Sequence, residues 1–163
     1  MNPAPLFAIR PAVKLDLPTI LLFIQELAAY EKLSHEVEVT EERLCAALFP
    51  DSGNAAAECI VACEGAEPAG FALFFPTYST FAGKPGLYLE DLYVRPAFRG
   101  RGIGTALLNH VASLANTRGC GRMEWAVLDW NQPAIDVYER LGARRLTDWT
   151  TCRLEGKSLT RFA

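Results

Sequence analysis

The sequence has little of what metal sites, disulfide frameworks and membrane spans are built from. Its 163 residues include two histidines and five cysteines, and no two cysteines stand in a Cys-x-x-Cys spacing. These counts argue against a bound metal and a disulfide framework, and they favour reduced thiols in a cytoplasmic protein. The most apolar run, Leu17 to Ile24, is too short to cross a bilayer. The first residues lack a basic region followed by an apolar block, so neither a signal peptide nor a membrane anchor is expected.

The sequence also lacks an excess of positive charge. Lys and Arg together number 16 against 19 Asp and Glu, which gives a net charge of −3 at pH 7. Because nucleic-acid-binding domains carry clustered basic charge, no nucleic-acid partner is expected, whereas a small cationic partner is compatible with this balance. Half of the residues are apolar, so the chain can bury a core of its own. We therefore expect a single domain over residues 1–163.

The most informative stretch contains three alternating glycines, Gly100, Gly102 and Gly104. An apolar, aromatic and β-branched run over Gly86–Val94 predicts a strand just before it, and Ala106–Arg118 has the spacing of a helix just after it. The glycines therefore occupy a strand-to-helix turn. The first N–H groups of a helix have no intrahelical partner and lie at the positive end of its dipole, so such a turn is suited to an anion.

The ligand expected at this turn is a phosphate or pyrophosphate. Arg99 and Arg101 add positive charge beside the glycines. The spacing fits neither the P-loop, which ends in Gly-Lys-Ser/Thr, nor the Gly-x-Gly-x-x-Gly turn of dinucleotide-binding folds. A glycine-rich turn with two solvated arginines is the alternative.

Periodicity and turn residues predict the order β-α-α-β-β-β-α-β-α-β-β, which is an α+β or mixed α/β domain with one sheet and helices on both faces. Asp16, Thr40 and Asn131 are the predicted caps of the first, second and last helices. The predicted strands are Phe7–Val13, Cys59–Glu64, Ala69–Thr77, Gly86–Val94, Arg122–Leu128 and a closing hairpin of Arg144–Leu154 with Lys157–Phe162. Between them, residues 78–85 are predicted to form a connector and Gln132–Leu141 the last helix.

Two adjacent carboxylates, Glu90 and Asp91, interrupt the apolar strand over Gly86–Val94. Successive side chains of a strand point to opposite faces unless a bulge intervenes. Because an unpaired buried carboxylate is costly, we expect at least one of the two to line a polar cavity, the alternative being a structural partner for an arginine. Glu31 follows the apolar stripe of the first helix and is either a solvated helix end or part of the same site.

Two motifs together resemble the signatures of the GNAT superfamily of N-acetyltransferases. Arg99, Gly102 and Gly104 match the pattern Arg/Gln-x-x-Gly-x-Gly/Ala, and Asn131–Ala143 is similar to Asn-x-x-Ala/Ser-x-x-x-Tyr-x-x-x-Gly-Phe/Ala. Both occur in the right order, each on the expected element, and the resemblance extends over essentially the whole chain. It implies a single mixed sheet with a splayed central strand, helices on both faces, acetyl-CoA as co-substrate and no metal.

Three segments resemble, more closely, the spermidine/spermine (diamine) and thialysine N-acetyltransferases of that superfamily: Glu26–Glu31, Gly83–Val94 and Ala126–Ala143. The acceptor-side residues that this resemblance implies are Tyr30, Glu31, Glu90, Asp91, Glu124, Trp125 and Ala126. The acetyl-CoA-binding residues that it implies are Leu92, Tyr93, Val94, Arg99, Gly100, Arg101, Gly102, Ile103, Gly104, Thr105, Asn131, Gln132, Pro133, Ala134 and Tyr138. Family likeness also implies a homodimer.

The expected reaction is direct attack of a primary amine on acetyl-CoA in a ternary complex. An aliphatic ammonium has a pKa near 10.4, so only about one molecule in 10³ is a free nucleophile at neutral pH, and a base must remove the proton. Glu90 is the candidate base. Tyr138 is the candidate acid that protonates the departing thiolate, with packing in its helix as the alternative role.

The acceptor is expected to be a diamine, a polyamine or a lysine-like amino acid. The resemblance places an acidic acceptor-side residue at position 79 and a tryptophan at position 81, where this chain has Ser79 and Phe81. Loss of one carboxylate favours a short diamine or a lysine-like amino acid over long polyamines. The rival functions are a non-catalytic module that binds CoA and an acetyltransferase acting on a protein or peptide amine.

Overall fold

A computed structural model describes residues 7–162 of the chain. These residues form two compact units, one ending at Leu128 and the other beginning at Asp129. The single domain over residues 1–163 stays a prediction. The expectation of no leader sequence concerns the N-terminus, of which residues 1–6 lie outside the described residues.

The first unit is organised around a five-stranded sheet in the order β1-β2-β3-β4-β5. Neighbouring strands from β1 to β4 are antiparallel, whereas β4 and β5 are parallel. This arrangement confirms the predicted mixed sheet. The strands are β1 (Ala8–Pro11), β2 (Glu58–Glu64), β3 (Glu67–Ser79), β4 (Lys84–Val94) and β5 (Arg122–Glu124).

Helices cover both faces of this sheet, as predicted. The three helices of the unit are α1 (Leu17–Glu31), α2 (Glu41–Leu48) and α3 (Ile103–Thr117). Phe23 of α1 packs in one core cluster with Val61 and Phe71 of the sheet, and α2 joins the same cluster. The neighbouring residues Ile60 and Ala72 are buried on the opposite face, because side chains alternate along a strand. The buried stripe of α3 packs against β2, β3 and β4 on that second face.

A bulge interrupts the pairing of β3 with β4 where the two carboxylates lie. Leu73 is opposite Asp91 and Phe74 is opposite Leu89, which leaves Glu90 as the extra residue. A bulge bends the strand that contains it and redirects its side chains. Strand β5 pairs with β4 only over Gly86–Tyr88, so the far edge of β4 beyond Tyr88 has no partner strand among residues 7–162. The central strand is therefore open on one side, as the predicted splay requires.

The backbone of Leu92 and Val94 points to this open edge. The N–H of Arg95 donates to the carbonyl of Ala69 on β3 at 2.9 Å, so alternate residues back along β4 also pair with β3. The residues between them then direct their N–H and C=O groups the other way. Nε of Arg99 donates to the carbonyl oxygen of Val94 at 2.9 Å from that side, which agrees with this assignment.

The largest boundary differences from the prediction in the first unit concern β5 and the connector before β4. Strand β5 ends at Glu124 rather than Leu128, because β4 bends at its bulge and no longer offers a straight parallel edge. Much of the predicted connector 78–85 belongs to β3 and β4, and only residues 80–83 form the turn. This turn is tight because the Ser79 hydroxyl accepts the N–H of Ala82 at 3.2 Å and Gly83 adopts a φ of +61°.

The second unit contains the helices α4 (Gln132–Arg140) and α5 (Lys157–Thr160). The prediction of α4 is confirmed: the carbonyl of Asn131 accepts the first helical N–H groups, and Gly142 follows the helix with a φ of +87°. The predicted closing hairpin is wrong, since the described chain after Glu124 forms no strand. Residues 144–162 are all exposed within this unit, and an isolated two-stranded hairpin without a face to bury is only marginally stable.

Candidate active site

A cavity of about 560 Å³ lies between the second half of α1, the segment 33–39 and the sheet. This volume is in the range of sites that bind small molecules. One part of its wall is apolar, formed by Ile24, Leu27, Ala28, Leu33, Val37, Val39, Leu44 and Leu73. The other part is acidic, formed by Glu31, Glu36, Glu38, Glu90 and Asp91. Every charged residue of this wall is a carboxylate, so the cavity favours cations and disfavours anions.

The bulge in β4 explains why two consecutive carboxylates reach one cavity. In a regular strand Glu90 and Asp91 would point to opposite faces. Because Glu90 is the extra residue of the bulge, both line the space beside α1. Glu90 is exposed, whereas Asp91 is half-buried against its partner Leu73. The two carboxylates therefore differ in environment although they are neighbours in sequence.

Asp91 has an unusual electrostatic environment. Burial, together with the nearby charges of Glu90 and Glu31, raises the pKa of Asp91 to about 7. Burial likewise raises the pKa of Glu31. A carboxyl with a pKa near 7 is half ionised at neutral pH, which is the condition a general base needs. The cavity thus contains a group that can accept a proton from a bound ammonium.

Two acidic residues of the wall were missed by the sequence prediction. Glu36 and Glu38 lie in the segment between α1 and α2 that was predicted only as a polar connector. The alternation of Glu36, Val37, Glu38 and Val39 was a usable signal, because it gives the segment charged and apolar residues in turn.

The residues from 7 to 162 contain no group of three or more His, Cys, Asp or Glu residues placed to hold a metal.

Tyr30 lies outside the cavity wall, although it precedes Glu31. The guanidinium carbon of Arg99 is 4.9 Å from the centroid of the Tyr30 ring and 5.7 Å from that of Tyr93. The side chain of Arg99 is thus stacked between α1 and β4. The structure separates Tyr30 from the three carboxylates with which it was grouped in the sequence prediction.

The glycine-rich turn has the geometry of an anion-binding site. Gly100 and Gly102 have φ values of +76° and +81°, which favour glycine, and a Cβ at either position would meet no atom within 4 Å. Helix α3 begins at Ile103, and its first intrahelical bond runs from the N–H of Ala106 to the carbonyl of Gly102. The preceding three N–H groups, of Ile103, Gly104 and Thr105, therefore have no place in the helical ladder. A phosphate can therefore approach the backbone of the turn closely enough to accept hydrogen bonds from these N–H groups.

Arg101 directs its side chain away from such a ligand. Its Nη1 is 2.6 Å from Oε2 of Glu64, and its Nη2 donates to the carbonyl of Ala97 at 3.1 Å. Its charge is therefore already paired. Arg101 can contribute a backbone N–H to the turn rather than a free cation.

The remaining acceptor-side residues of the first unit lie at or beyond the end of β5. Glu124 is opposite Tyr88 in the sheet and forms an ion pair with Arg122 at 2.8 Å. Trp125 and Ala126 follow the strand in an extended segment, and neither they nor Glu124 belong to the cavity wall. The structure thus brings Glu31, Glu90 and Asp91 together but not these three.

Position 79, which the resemblance places on the acceptor side, lies outside the cavity wall in this structure. Ser79 is 4% exposed, and its hydroxyl accepts hydrogen bonds from Ala82 and from Nη1 of Arg122, both at 3.2 Å. It pairs with Lys84, which places it about 20 Å along β4 from Glu90. Ser79 is a structural residue of the hairpin turn in this chain.

The candidate residues of the second unit cluster at and within α4. Asn131 is its N-cap, Pro133 lies in the first turn, and Nε2 of Gln132 donates to Asp136 at 2.6 Å. Tyr138, the candidate acid, is half-buried two turns into the helix. The motif predicted from the sequence is therefore presented on a regular, capped helix.

Comparison with known proteins identifies the family. The acetyltransferase (GNAT) family model matches residues 23–143. A thialysine N-epsilon-acetyltransferase of Sus scrofa is 42% identical over 166 residues, 95% of this chain and 96% of that protein. An L-ornithine N5-acetyltransferase of Arabidopsis thaliana is 32% identical over 93% of this chain and 85% of that protein. The solved structure of an integron cassette protein from Vibrio cholerae has a TM-score of 0.77 and 26% identity, with 96% of each chain covered.

These matches agree with the two motifs and with the order of the elements up to α4. The family model covers both the glycine-rich turn and the motif on α4. The family uses acetyl-CoA as its co-substrate, so the anion-binding geometry of the turn has a matching ligand. The predicted resemblance is confirmed: the chain is an N-acetyltransferase and belongs to the acetyltransferase (GNAT) family.

Proposed function

We propose that the protein transfers the acetyl group of acetyl-CoA to a primary amine of a small aliphatic molecule, either a short diamine or a lysine-like amino acid. The observation that carries this proposal is the cavity beside α1, whose charged residues are five carboxylates. An acidic wall over an apolar floor suits an ammonium group on an aliphatic chain. The names of the thialysine and ornithine acetyltransferases support acceptors of this size.

The amine must lose a proton before it can attack, and Asp91 is the group we propose to take it. Its pKa of about 7 and its position in the cavity suit that role better than the exposed Glu90, which was the candidate from the sequence. The proton passes from the substrate ammonium to the Asp91 carboxylate and leaves a neutral amine. Before this proton transfer, Glu90 and Glu31 hold the positively charged ammonium in the cavity.

Acetyl-CoA is proposed to bind along the open edge of β4 and the glycine-rich turn. The backbone groups of Leu92 and Val94 at that edge can pair with the amides of the pantetheine arm, with Tyr93 between them facing α1. The pyrophosphate is proposed to accept backbone N–H groups of the turn. The residues of this part of the site are Arg99, Gly100, Arg101, Gly102, Ile103, Gly104 and Thr105, with Arg101 acting through its backbone.

Transfer then proceeds by attack of the neutral amine on the thioester carbonyl. A backbone N–H at the open edge of β4 is suited to stabilise the oxyanion that forms. The carbon–sulfur bond breaks as the thiolate takes a proton from the hydroxyl of Tyr138, which makes CoA a better leaving group. The acetylated nitrogen loses its extra proton to solvent, and Tyr138 regains a proton from solvent, so the step balances. The residues proposed to complete the site are Glu124, Trp125 and Ala126 near the acceptor, and Asn131, Gln132, Pro133 and Ala134 near the cofactor.

An amine panel tests this function. Release of the CoA thiol is followed with acetyl-CoA and with monoamines, short diamines, spermidine, spermine, lysine-like amino acids and a peptide N-terminus. The proposal expects turnover with a short diamine or a lysine-like amino acid, and weaker turnover with long polyamines. Binding of acetyl-CoA without thiol release on any amine identifies a non-catalytic module, and a preference for the peptide identifies a protein acetyltransferase.

The proposed assembly is a homodimer in the cytoplasm. Likeness to the diamine and thialysine acetyltransferases supports the dimer, and the cysteine usage supports a reducing compartment. None of the helices in residues 7–162 is long and apolar enough to span a bilayer. Light scattering measures the mass in solution, and a value near 17.9 kDa would contradict the dimer.

A further inference from the structure

We infer that Tyr30 and Arg99 form a positioning pair that supports the acetyl-CoA-binding turn, so that Tyr30 acts on the cofactor side of the reaction and not as a ligand of the amine. This inference rests on the proposed function of the turn. It assigns Tyr30, which was grouped with the acceptor carboxylates on sequence grounds, to the other substrate.

The side chain of Arg99 makes three contacts that converge from different elements. Its Nε donates to the carbonyl of Val94 at the end of β4, and its guanidinium plane lies near the rings of Tyr93 and Tyr30. Arg99 is also the residue immediately before Gly100, where the turn begins. One side chain therefore connects the last residue of β4 and the last turn of α1 to the start of the turn.

A second arginine, Arg95, lies four residues before Arg99 and also contacts α1. Nη2 of Arg95 is 3.0 Å from Oε1 of Glu26, and its guanidinium lies 4.8 Å above the ring of Phe23. Glu26 and Tyr30 are four residues apart on α1 and share one face of that helix. Two side-chain contacts, the Glu26–Arg95 ion pair and the Tyr30–Arg99 cation–π contact, therefore hold α1 against the segment between β4 and the glycine-rich turn.

The contacts of Arg99 need a planar guanidinium and not only a positive charge. Stacking on an aromatic ring together with a directed Nε–H is a property of arginine that lysine cannot reproduce. A phosphate contact, in contrast, is partly retained by lysine, which binds phosphate as a point charge. Arg99 and Tyr30 variants therefore separate positioning of the turn from direct contact with either substrate.

The first experiment compares Tyr30→Leu, Tyr30→Phe and a matched control, Tyr78→Leu, which alters an exposed tyrosine of β3. Acetyl-CoA binding is measured by calorimetry without amine, and the KM of the best amine is measured separately. We expect Tyr30→Leu to weaken acetyl-CoA binding about two- to fivefold and to leave the amine KM unchanged, since an exposed cation–π pair is of that strength. Tyr30→Phe keeps the ring and should retain wild-type binding, as should Tyr78→Leu.

The second experiment uses Arg99→Lys and Arg99→Met, which test the same pair from the other side. We expect both variants to weaken acetyl-CoA binding to a similar extent, because both lose the planar guanidinium group. Full affinity in Arg99→Lys with a loss only in Arg99→Met would assign Arg99 to the phosphate and overturn the inference. An increase in the amine KM of Tyr30→Leu with unchanged acetyl-CoA binding, or no change in either, would overturn it as well.

These outcomes are distinct from failure of the proposed function. If wild-type protein binds acetyl-CoA but acetylates no amine, the acceptor assignment fails while the calorimetric comparison still decides the role of Tyr30. If wild-type protein does not bind acetyl-CoA at all, both the turn assignment and the inference are contradicted.

Discussion

Asp91 is a residue whose position favours chemistry over stability. Its carboxyl is half-buried beside Leu73, and two further carboxylates, Glu31 and Glu90, line the same cavity. Burial and like charges both oppose ionisation, which is why its pKa rises to about 7. A bound substrate ammonium supplies a positive charge, which offsets the repulsion among the three carboxylates.

The stability of the protein should therefore depend on Asp91 in a defined pH window. The folded pKa of about 7 lies above the reference value of 3.8, so the folded chain binds more protons than the unfolded chain between these values. The free energy of unfolding then falls as pH rises from about 4 to 7. We expect Asp91→Asn to raise the free energy of unfolding at pH 8 by on the order of 3 kcal/mol and to change it little near pH 4.

Thermal melts at the two pH values check this expectation, and Glu90→Gln is the matched control. Because Glu90 is exposed and its charge raises the pKa of Asp91 less than burial does, its variant should raise the Tm at pH 8 by less than Asp91→Asn does and leave it unchanged near pH 4. A Tm of Asp91→Asn equal to or below the wild-type value at pH 8 would show that the Asp91 carboxylate is not strained in the folded state.

Tyr138 allows a second test at the level of one hydroxyl. Tyr138→Phe keeps the half-buried ring in α4 and removes only the proposed proton donor. We expect kcat to fall by roughly 10²–10⁴ with little change in the affinity for acetyl-CoA. Steady-state kinetics and calorimetry measure the two quantities, with Tyr78→Phe as the control. If kcat stays within a factor of about two, Tyr138 is a packing residue.

The sequence predicted some site residues and not others for identifiable reasons. Glu90 and Asp91 were conspicuous because charge inside an apolar strand is costly, and the same signal was absent for Glu36 and Glu38 in a polar segment. The sequence did not show that Ser79 is buried outside the cavity wall, because likeness to a family gives the residue type at a position and not where its side chain lies. Its burial in a turn depends on hydrogen bonds from Arg122 and Ala82 that sequence spacing does not contain.

The glycine-rich turn is the element on which, in the proposed site, binding of acetyl-CoA depends. Gly102 is the N-cap of α3 with a φ of +81°, a conformation that Asn and Asp tolerate better than most residues. A side chain there faces open space in the structure and would stand where a phosphate approaches. We expect Gly102→Asp to abolish acetyl-CoA binding in a folded protein, because it adds negative charge as well as bulk.

Gly102→Asn is the control that separates charge from shape. It has nearly the size and backbone tolerance of aspartate but no charge, so we expect binding that is weakened but measurable. Calorimetry gives both affinities, and circular dichroism checks that α3 is intact. Wild-type affinity in a folded Gly102→Asp protein would remove the turn from the cofactor site.

Elements marked by a periodic apolar pattern, a capping residue or glycines were predicted well. Elements that depend on pairing with residues distant in sequence were not. The stripe of α1, the Thr40 cap of α2 and the glycines before α3 are local signals, and each element is present. The length of β5 and the hairpin over Arg144–Phe162 depend on an available sheet edge, which local sequence does not reveal. The bulge at Glu90 was weighed as an alternative because alternation alone cannot locate it.

At the scale of the whole molecule, the sheet serves two sites through one strand. The bulge of β4 turns Glu90 and Asp91 toward the cavity beside α1, and the following residues leave an open edge that leads to the glycine-rich turn. Consecutive residues of a single strand can therefore contact the amine and the thioester. Because one strand serves both substrates, the proposed site can bind a cation and an anion close together on a chain of nearly neutral charge.

The most direct test of the proposed reaction is kcat/KM for acetylation of a short diamine by wild-type and Asp91→Asn protein between pH 5.5 and 9. Wild-type protein can use the ammonium and pass its proton to Asp91, whereas the variant depends on amine that is already neutral, so their ratio reports on Asp91. We expect wild-type activity to exceed that of the variant by roughly 10²–10⁴ near pH 7, where Asp91 is half ionised, and the ratio to fall toward pH 9 as neutral amine becomes more abundant. A ratio near one across the whole range, with acetyl-CoA binding intact, would show that the carboxylate cavity does not activate the amine.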